Sequence, residues 1–139
     1  MALIAVVDDE KDACGLMRRI LSAMGHQVEA FTAAGETISW LKGHIPDLIL
    51  LDIRLRDCQG LQFLEFLRQS HPGVKVMVVT GSPSFETAER ALALGAEDYL
   101  VKPLEIADLE ERVNKALGLI FEGSSGLSTP VRLFAIFSS

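Results

Sequence analysis

Five residues of this sequence carry most of its chemistry: Asp8, Asp9, Asp52, Thr80 and Lys102. Each stands at or just after the end of a short apolar run. A single Asp in such a place reads most simply as a cap on the following helix, and Asp8 or Asp9 could cap the first one. Three carboxylates on one rim are harder to explain that way. Two bare carboxylates ~4 Å apart repel by about 4 kcal/mol at an effective dielectric near 20, so folding gathers them only with a counter-charge. The ammonium of Lys102 is one counter-charge. A hard divalent cation is the other, and a small set of oxygen ligands suits Mg²⁺, which keeps several of its waters. Such a set supports nucleophilic attack by a carboxylate on a phosphoryl group, forming an aspartyl phosphate. Mg²⁺ on Asp9 and Asp52 and the Lys102 ammonium then neutralise the incoming oxygens, and the Thr80 hydroxyl donates a hydrogen bond. Gly81 has no side chain and leaves a path for the donor.

These residues converge only if the elements before them lie side by side. Short apolar runs rich in β-branched residues occupy Leu3–Val7, Gln27–Phe31, Leu48–Leu51, Val74–Val79 and Asp98–Val101. Helical spacing fills the stretches between. Ala13, Leu16, Met17, Ile20, Leu21 and Met24 form one face of a first helix, which Gly25 stops. Ala34, Ile38, Leu41 and Ile45 repeat the pattern more weakly, up to Gly43 and Pro46. Leu61, Leu64 and Leu67, with Phe63 and Phe66, mark a third helix ending before Pro72. Pro83 suits a first helical turn with Ser82 as its cap, and Phe85, Ala88, Ala91 and Leu92 lead from there to Gly95. Ile106, Leu109, Val113, Ala116 and Ile120 make a fifth.

Five strand–helix units follow. Strands that read as apolar runs are buried on both faces, which predicts an α/β fold: a doubly wound parallel sheet with right-handed crossovers and helices on both faces. Ligands then bind outside the carboxyl ends of the strands, where the five polar residues stand. The run Gln27–Phe31 alternates more than the others, as an outer strand should.

Composition narrows the function further. The 139 residues suit one domain, and 49% hydrophobic with 23% charged residues argues against disorder. The net charge of −6 counts against direct nucleic-acid binding by this chain. No apolar run approaches the ~20 residues of a membrane span. Met1–Val7 has no basic flank and runs into Asp8-Asp9-Glu10, so it is a strand and not a signal peptide. Cys14 and Cys58 form no disulfide framework and no zinc spacing, which points to the cytoplasm. Residues 1–120 read as the domain. Residues 121–139 read as a linker-like tail, Gly- and Ser-rich over Glu122–Pro130 and apolar over Val131–Phe137.

The motifs VVDDE at 6–10, LLDIRL at 50–55 with Gly60, VVTG at 78–81 and GAEDYLVKPLE at 95–105 resemble the response-regulator receiver domain of two-component signalling. The resemblance covers about residues 3–119, and TGSPSFETAERALALGAEDYLVKP is most similar to receivers of nitrogen-regulation-class transcription activators. It implies a flavodoxin-like five-stranded sheet of order 2-1-3-4-5. It also implies Asp52 as the phosphorylated residue, Asp9 as a direct metal ligand, Asp8 acting through water, and the backbone carbonyl of Arg54 completing the Mg²⁺ site. Thr80 and Lys102 match the switch hydroxyl and the phosphate-binding lysine, and Tyr99 the aromatic that turns inward on activation. Lys102–Pro103 matches a cis peptide, which an X–Pro bond allows. Further implications are a sensor histidine kinase as phosphodonor, a partner or homodimer surface on the fourth helix, fifth strand and fifth helix, and an output domain that is separate or missing. Such a chain is not an enzyme beyond its own phosphorylation and dephosphorylation. One departure stands out: family loops usually read Asp-x-x-Met-Pro, whereas this one reads Asp52-Ile53-Arg54-Leu55-Arg56. Losing the proline makes the loop less rigid and sets two arginines beside Asp52, which bears on the lifetime of the phosphorylated state and not on its formation.

Two other readings compete. A haloacid-dehalogenase-type phosphatase would need a second Asp two residues after the nucleophile, where Arg54 stands, and a cap insertion for which there is no room. A degenerate interaction module would not need the full set of five. His26, His44 and His71 read as surface or helix-terminus residues, Trp40 as partial core, Asp57 as a loop-turn residue, and Asp98 as solvated or capping. Cys58 flanks the loop with no sign of activation.

Overall fold

The computed structural model describes residues 1–119. The chain alternates β1 (Leu3–Val7), α1 (Lys11–Ala23), β2 (Gln27–Phe31), α2 (Ala34–Leu41), β3 (Leu48–Leu51), α3 (Gly60–Ser70), β4 (Lys75–Thr80), α4 (Phe85–Ala93), β5 (Asp98–Val101) and α5 (Ile106–Ala116). The strands form one parallel sheet of order β2-β1-β3-β4-β5.

Alternate side chains of each central strand feed two separate cores, which is why the strands read as unbroken apolar runs. Ile4, Val6, Leu48, Leu50, Met77 and Val79 face α1 and α5, meeting Met17, Leu21, Leu109 and Val113. Ala5, Val7, Ile49, Leu51, Val76 and Val78 face the other way, onto Leu41 of α2, Leu61, Leu64 and Leu67 of α3, and Ala91 of α4. Truncating a fully buried Leu such as Leu64 to Ala removes about 2–5 kcal/mol. Gly25 follows the end of α1 with φ +94°, a backbone angle that a side chain would strain.

Several helix positions differ from the sequence reading. The fourth helix starts at Phe85, and its cap is Ser84 rather than Ser82: the Ser84 side chain accepts a hydrogen bond from the Thr87 amide. Ser84 sits in extended backbone, so Pro83 lies before the helix and not in its first turn. Leu16, Ile45, Phe85, Leu92 and Ile106 are exposed, although all five fit the apolar spacing. On α1 the inward side is set by Cys14, Met17, Ile20 and Leu21, which leaves Leu16 turned away. Ile45 lies beyond the end of α2. The fourth strand runs one residue later than expected, taking in Thr80. Ile120 and the tail over 121–139 lie outside the described residues.

His26 is buried and not a surface residue. Its Nδ1 accepts a hydrogen bond from the Ala2 amide at 3.0 Å, pinning the start of β1. Asp47 pins the next residue by accepting from the Leu3 amide. Burial, and then the nearby N-terminal ammonium, push the His26 pKa down against the opposing pull of Asp47. An unfolded ring, with a pKa of about 6.5, takes up a proton more readily than this one. The stability it contributes is therefore complete above about pH 6.5 and lost as pH falls through the folded-state value. His26→Gln is expected to destabilise the protein by about 1 kcal/mol at neutral pH, and its gap to the parent should narrow as the pH is lowered toward about 5. Urea midpoints at both pH values measure this. A gap that stays constant would exclude His26 as the titrating group.

Candidate functional site

Strand register builds the site. Val7 pairs with Leu51, so the residues that follow, Asp8 and Asp52, emerge side by side on adjacent strands. The ladder continues past the strands: the Asp8 amide donates to Phe31 O and the Asp52 amide to Val7 O. Thr80 pairs with Val101, and the Lys102 amide donates to Thr80 O, which brings Lys102 to the same rim. The Lys102–Pro103 peptide is cis.

Asp8 and Asp52 are 1% and 7% exposed, so neither charge is left to water. Each divides its two oxygens in the same way. One oxygen accepts a backbone amide two residues on: Asp8 Oδ1 from Glu10, and Asp52 Oδ1 from Arg54 at 3.1 Å. The other faces Lys102, whose Nζ lies 2.5 Å from Asp8 Oδ2 and 3.2 Å from Asp52 Oδ2. The α1 N-cap position is Glu10, which makes no side-chain cap bond, and Asp8 turns the chain just before it. Carboxylate oxygens of Asp8, Asp9 and Asp52 all lie within 4.8 Å of one another.

Three carboxylates thus face one ammonium. Burial raises the Asp52 pKa above the usual carboxylate range; the Arg54 amide and the Lys102 charge oppose it, and Asp8 adds to it. At Lys102, burial acts to lower the pKa, but the Asp8 hydrogen bond and the charges of Asp52 and Asp8 outweigh it, leaving the ammonium firmly protonated. The negative charge left over, offered only through oxygen, fits a hard divalent cation. An open cleft of about 330 Å³ gives access, lined by Asp9, Glu10, Asp52, Arg54, Gly81, Ser82 and Lys102.

The loop after Asp52 folds back on itself. Arg54 and Gln59 form an antiparallel bridge, and the Gly60 amide donates to Ile53 O. A Cβ at Gly60 would collide with the backbone of Asp52 and Ile53, so this closure requires glycine. Leu55 is half-buried against the α2–α3 core, whereas the Arg54 and Arg56 side chains are exposed. Asp57 lies in the bend of this loop, as its type suggests, and its side chain does more than serve that bend. Its carboxylate reaches α2 and accepts the Ala34 amide at 3.0 Å and the Gly35 amide at 2.9 Å, which hold its pKa below the usual carboxylate range.

Thr80 is fully buried, and its Oγ1 accepts from the Ser82 amide at 3.0 Å. Tyr99 is half-buried, with its hydroxyl 2.9 Å from Thr87 Oγ1. Thr87 Oγ1 also lies 2.8 Å from the capping Ser84 Oγ. Sequence reasoning missed Ser84 and Thr87; the available signal was a Ser after a Pro with a hydroxyl residue three positions on. Away from the rim, Asp98 is ion-paired with Arg112 at 2.8 Å and is neither free nor a cap. His44 stacks on Trp40, and His71 lies against Ser70. Burial and the Asp57 charge raise the Cys58 thiol pKa, which disfavours a reactive thiolate.

The profile of the response regulator receiver domain matches residues 4–114. The chain belongs to the response regulator receiver family. It is 32% identical over 114 residues to the transcriptional regulatory protein ZraR of Salmonella typhimurium, covering 82% of this chain and 26% of that protein. Against the regulatory protein LuxO of Vibrio vulnificus identity is 37% over 112 residues, covering 81% of this chain and 25% of that protein. The chain therefore spans about a quarter of the length of these relatives. Among solved structures, a CheY-like receiver from Methanospirillum hungatei superposes with a TM-score of 0.81 at 33% identity, covering 85% of this chain and 94% of that one. The receiver domain of NtrX from Brucella abortus gives 0.79 at 33% identity, covering 83% and 98%. The strand register brings Asp8, Asp52, Thr80 and Lys102 to one rim, and a carboxylate oxygen of Asp9 lies within 4.8 Å of those of Asp8 and Asp52.

In this receiver the Tyr99–Thr87 hydrogen bond ties β5 to the first turn of α4. Tyr99→Phe removes this bond, and Thr87→Val removes it together with the Thr87 hydroxyl's contacts to Ser84. Tyr99→Phe is expected to cost about 0.5–1.5 kcal/mol, Thr87→Val at least as much, and the double variant little more than Thr87→Val alone. Urea midpoints for the four proteins of this cycle measure the coupling, and strict additivity would show that the two hydroxyls do not act together.

Proposed function

We propose that this receiver domain takes one phosphoryl group on Asp52 from a sensor histidine kinase and uses it to change a partner surface. The observation that carries this reading is the Lys102 ammonium lying between Asp8 and Asp52 with a third carboxylate, Asp9, beside them. Asp9, Asp52 and the Arg54 carbonyl would hold Mg²⁺, with Asp8 acting through water. The cation supplies positive charge against the phosphoryl oxygens. An Asp52 oxygen bonds to phosphorus as the P–N bond of the donor phosphohistidine breaks, and the electron pair leaves on the imidazole nitrogen. Lys102 exchanges its contact with Asp52 for a phosphoryl oxygen. Gly81 leaves the line of approach open.

Phosphorylation adds up to about two negative charges at the rim. The Thr80 hydroxyl then turns to donate to the phosphoryl group, and Tyr99 follows into the space it leaves. α4 is the element best placed to shift, since Ala91 is its one buried residue. The responding surface comprises α4, β5 and α5. Phe85, Leu92, Val101 and Ile106 are exposed on these elements, and exposed large apolar groups suit a partner or a second copy.

The chain is regulatory and not an enzyme beyond its own phosphorylation and dephosphorylation. On this reading its output passes to a further domain or a separate partner in the cytoplasm. No described helix is long and apolar enough to cross a membrane.

Treatment with acetyl phosphate and Mg²⁺ followed by intact mass tests the chemistry. One phosphoryl group is expected on the parent, none without the cation, and none on Asp52→Asn. Labelling of Asp52→Asn to the parent's extent would show that another residue is the nucleophile.

The receiver is taken to end near Ile120, and the tail to play no part in phosphotransfer. Removal of residues 122–139 should leave Mg²⁺-dependent labelling unchanged. Lost labelling, or lost cooperative unfolding, in that truncation would place the tail inside the domain.

A further inference from the structure

We propose that Asp57 is a positioning residue for the metal site, holding the loop after Asp52 in place by gripping the start of α2. This rests on the reading of the rim as a Mg²⁺-dependent phosphoacceptor site and adds a residue to it.

The helix needs the contact. The N-cap position of α2 is Ala33, which has no side-chain oxygen to satisfy the first free amides. Those amides, Ala34 and Gly35, donate to the two oxygens of Asp57, twenty-three and twenty-two positions further along the chain. A carboxylate also suits the positive end of a helix.

The loop needs the contact as well. Between Asp52 and Gly60 the base is closed by the Arg54–Gln59 bridge and the Gly60–Ile53 hydrogen bond. Neither reaches the tip. Proline is absent, so the backbone angles between Arg54 and Asp57 are not restricted by a ring. The paired acceptors of Asp57 anchor the tip to an element that packs against the sheet. Arg54, three residues before Asp57, pairs with Gln59 at the base of the same loop, and its carbonyl is the backbone ligand proposed for the cation. Groups that orient metal ligands through a second layer of contacts commonly change affinity by roughly 10–100-fold when removed.

The experiment separates the loop from the helix. Asp57→Ala removes both the α2 cap and the loop anchor. Asp57→Ala with Ala33→Asp gives α2 a cap of its own at a position whose extended backbone suits one, without restoring the anchor. Calorimetric Mg²⁺ titration and thermal unfolding are measured on the full chain for both variants and the parent. Asp57→Ala is expected to weaken Mg²⁺ binding roughly tenfold and to lower the melting temperature. Adding Ala33→Asp should recover the melting temperature and not the Mg²⁺ affinity. Acetyl phosphate labelling at saturating Mg²⁺ should match the parent, since Asp57 does not touch the reacting atoms. If Asp57→Ala fails to fold, Asp57→Asn, which keeps one acceptor, is titrated alone and with Ala33→Asp, and a smaller weakening that Ala33→Asp does not repair is expected.

Unchanged Mg²⁺ affinity in the Asp57 variants, or affinity that returns with Ala33→Asp, overturns the proposal and leaves Asp57 as a helix cap only. A parent that does not bind Mg²⁺ overturns it too. A parent that binds Mg²⁺ and is not labelled refutes the phosphoacceptor reading instead, while the affinities still decide the role of Asp57.

Discussion

One ammonium holds the working end of this protein together. Lys102 arrives from the last strand and contacts Asp8 and Asp52, carboxylates from two other strands that water barely reaches. Without a positive charge between them, two buried carboxylates on neighbouring strands repel, and their desolvation is not offset. Lys102 relieves part of this and leaves Asp9 beside the pair, so the rim keeps an unmet demand for positive charge. A domain built only for stability would have no reason to gather such a set. The gathering itself is the strongest physical argument for a site that binds a cation and a phosphoryl group.

The sheet itself positions the backbone of Asp8, Asp52 and Lys102. Parallel strands in matched register end together, so one residue past each end lies on a common edge. The backbone ladder runs on through the Asp8, Asp52 and Lys102 amides, so the site residues are fixed by the same hydrogen bonds that make the sheet. Two cores, one on each face, keep that sheet rigid. The rim can therefore hold repelling charges that an isolated loop would let drift apart.

Most of this could be read from residues alone because two signals are local. Unbroken apolar runs such as Leu48–Leu51 announce a strand buried on both faces, and a polar residue after each announces the rim. What escaped reading was not local. Asp57 looks like a turn former, and only the fold shows that its acceptors serve a helix more than twenty positions earlier in the chain. His26 does follow the end of the first helix, but its ring is buried and its Nδ1 accepts the Ala2 amide just before the first strand. Leu16, Phe85, Leu92 and Ile106 fit helical spacing, and spacing cannot say which side of a short helix meets the sheet. On α4 the small Ala91 is the residue buried, so the larger apolar groups are left for something other than the core.

The resting hydrogen bonds also say where the energy of a switch would have to come from. Thr80 Oγ1 already has the Ser82 amide, and the Tyr99 hydroxyl already has Thr87. Moving the Tyr99 hydroxyl exchanges one neutral bond for another, and a neutral exchange contributes little net free energy. Shifting a two-state element from 1:99 to 99:1 takes about 5.5 kcal/mol of differential stabilisation. Bonds to charged groups contribute about 1.5–3 kcal/mol each, so two or three new ones are of the right size. On the proposed reading they form between the phosphoryl oxygens and Lys102, Thr80 and the cation. The hydroxyl chain from Ser84 through Thr87 to Tyr99 then sets only the resting side of the balance. The direction of the switch is decided at the rim, by the same charge imbalance that Lys102 leaves unresolved.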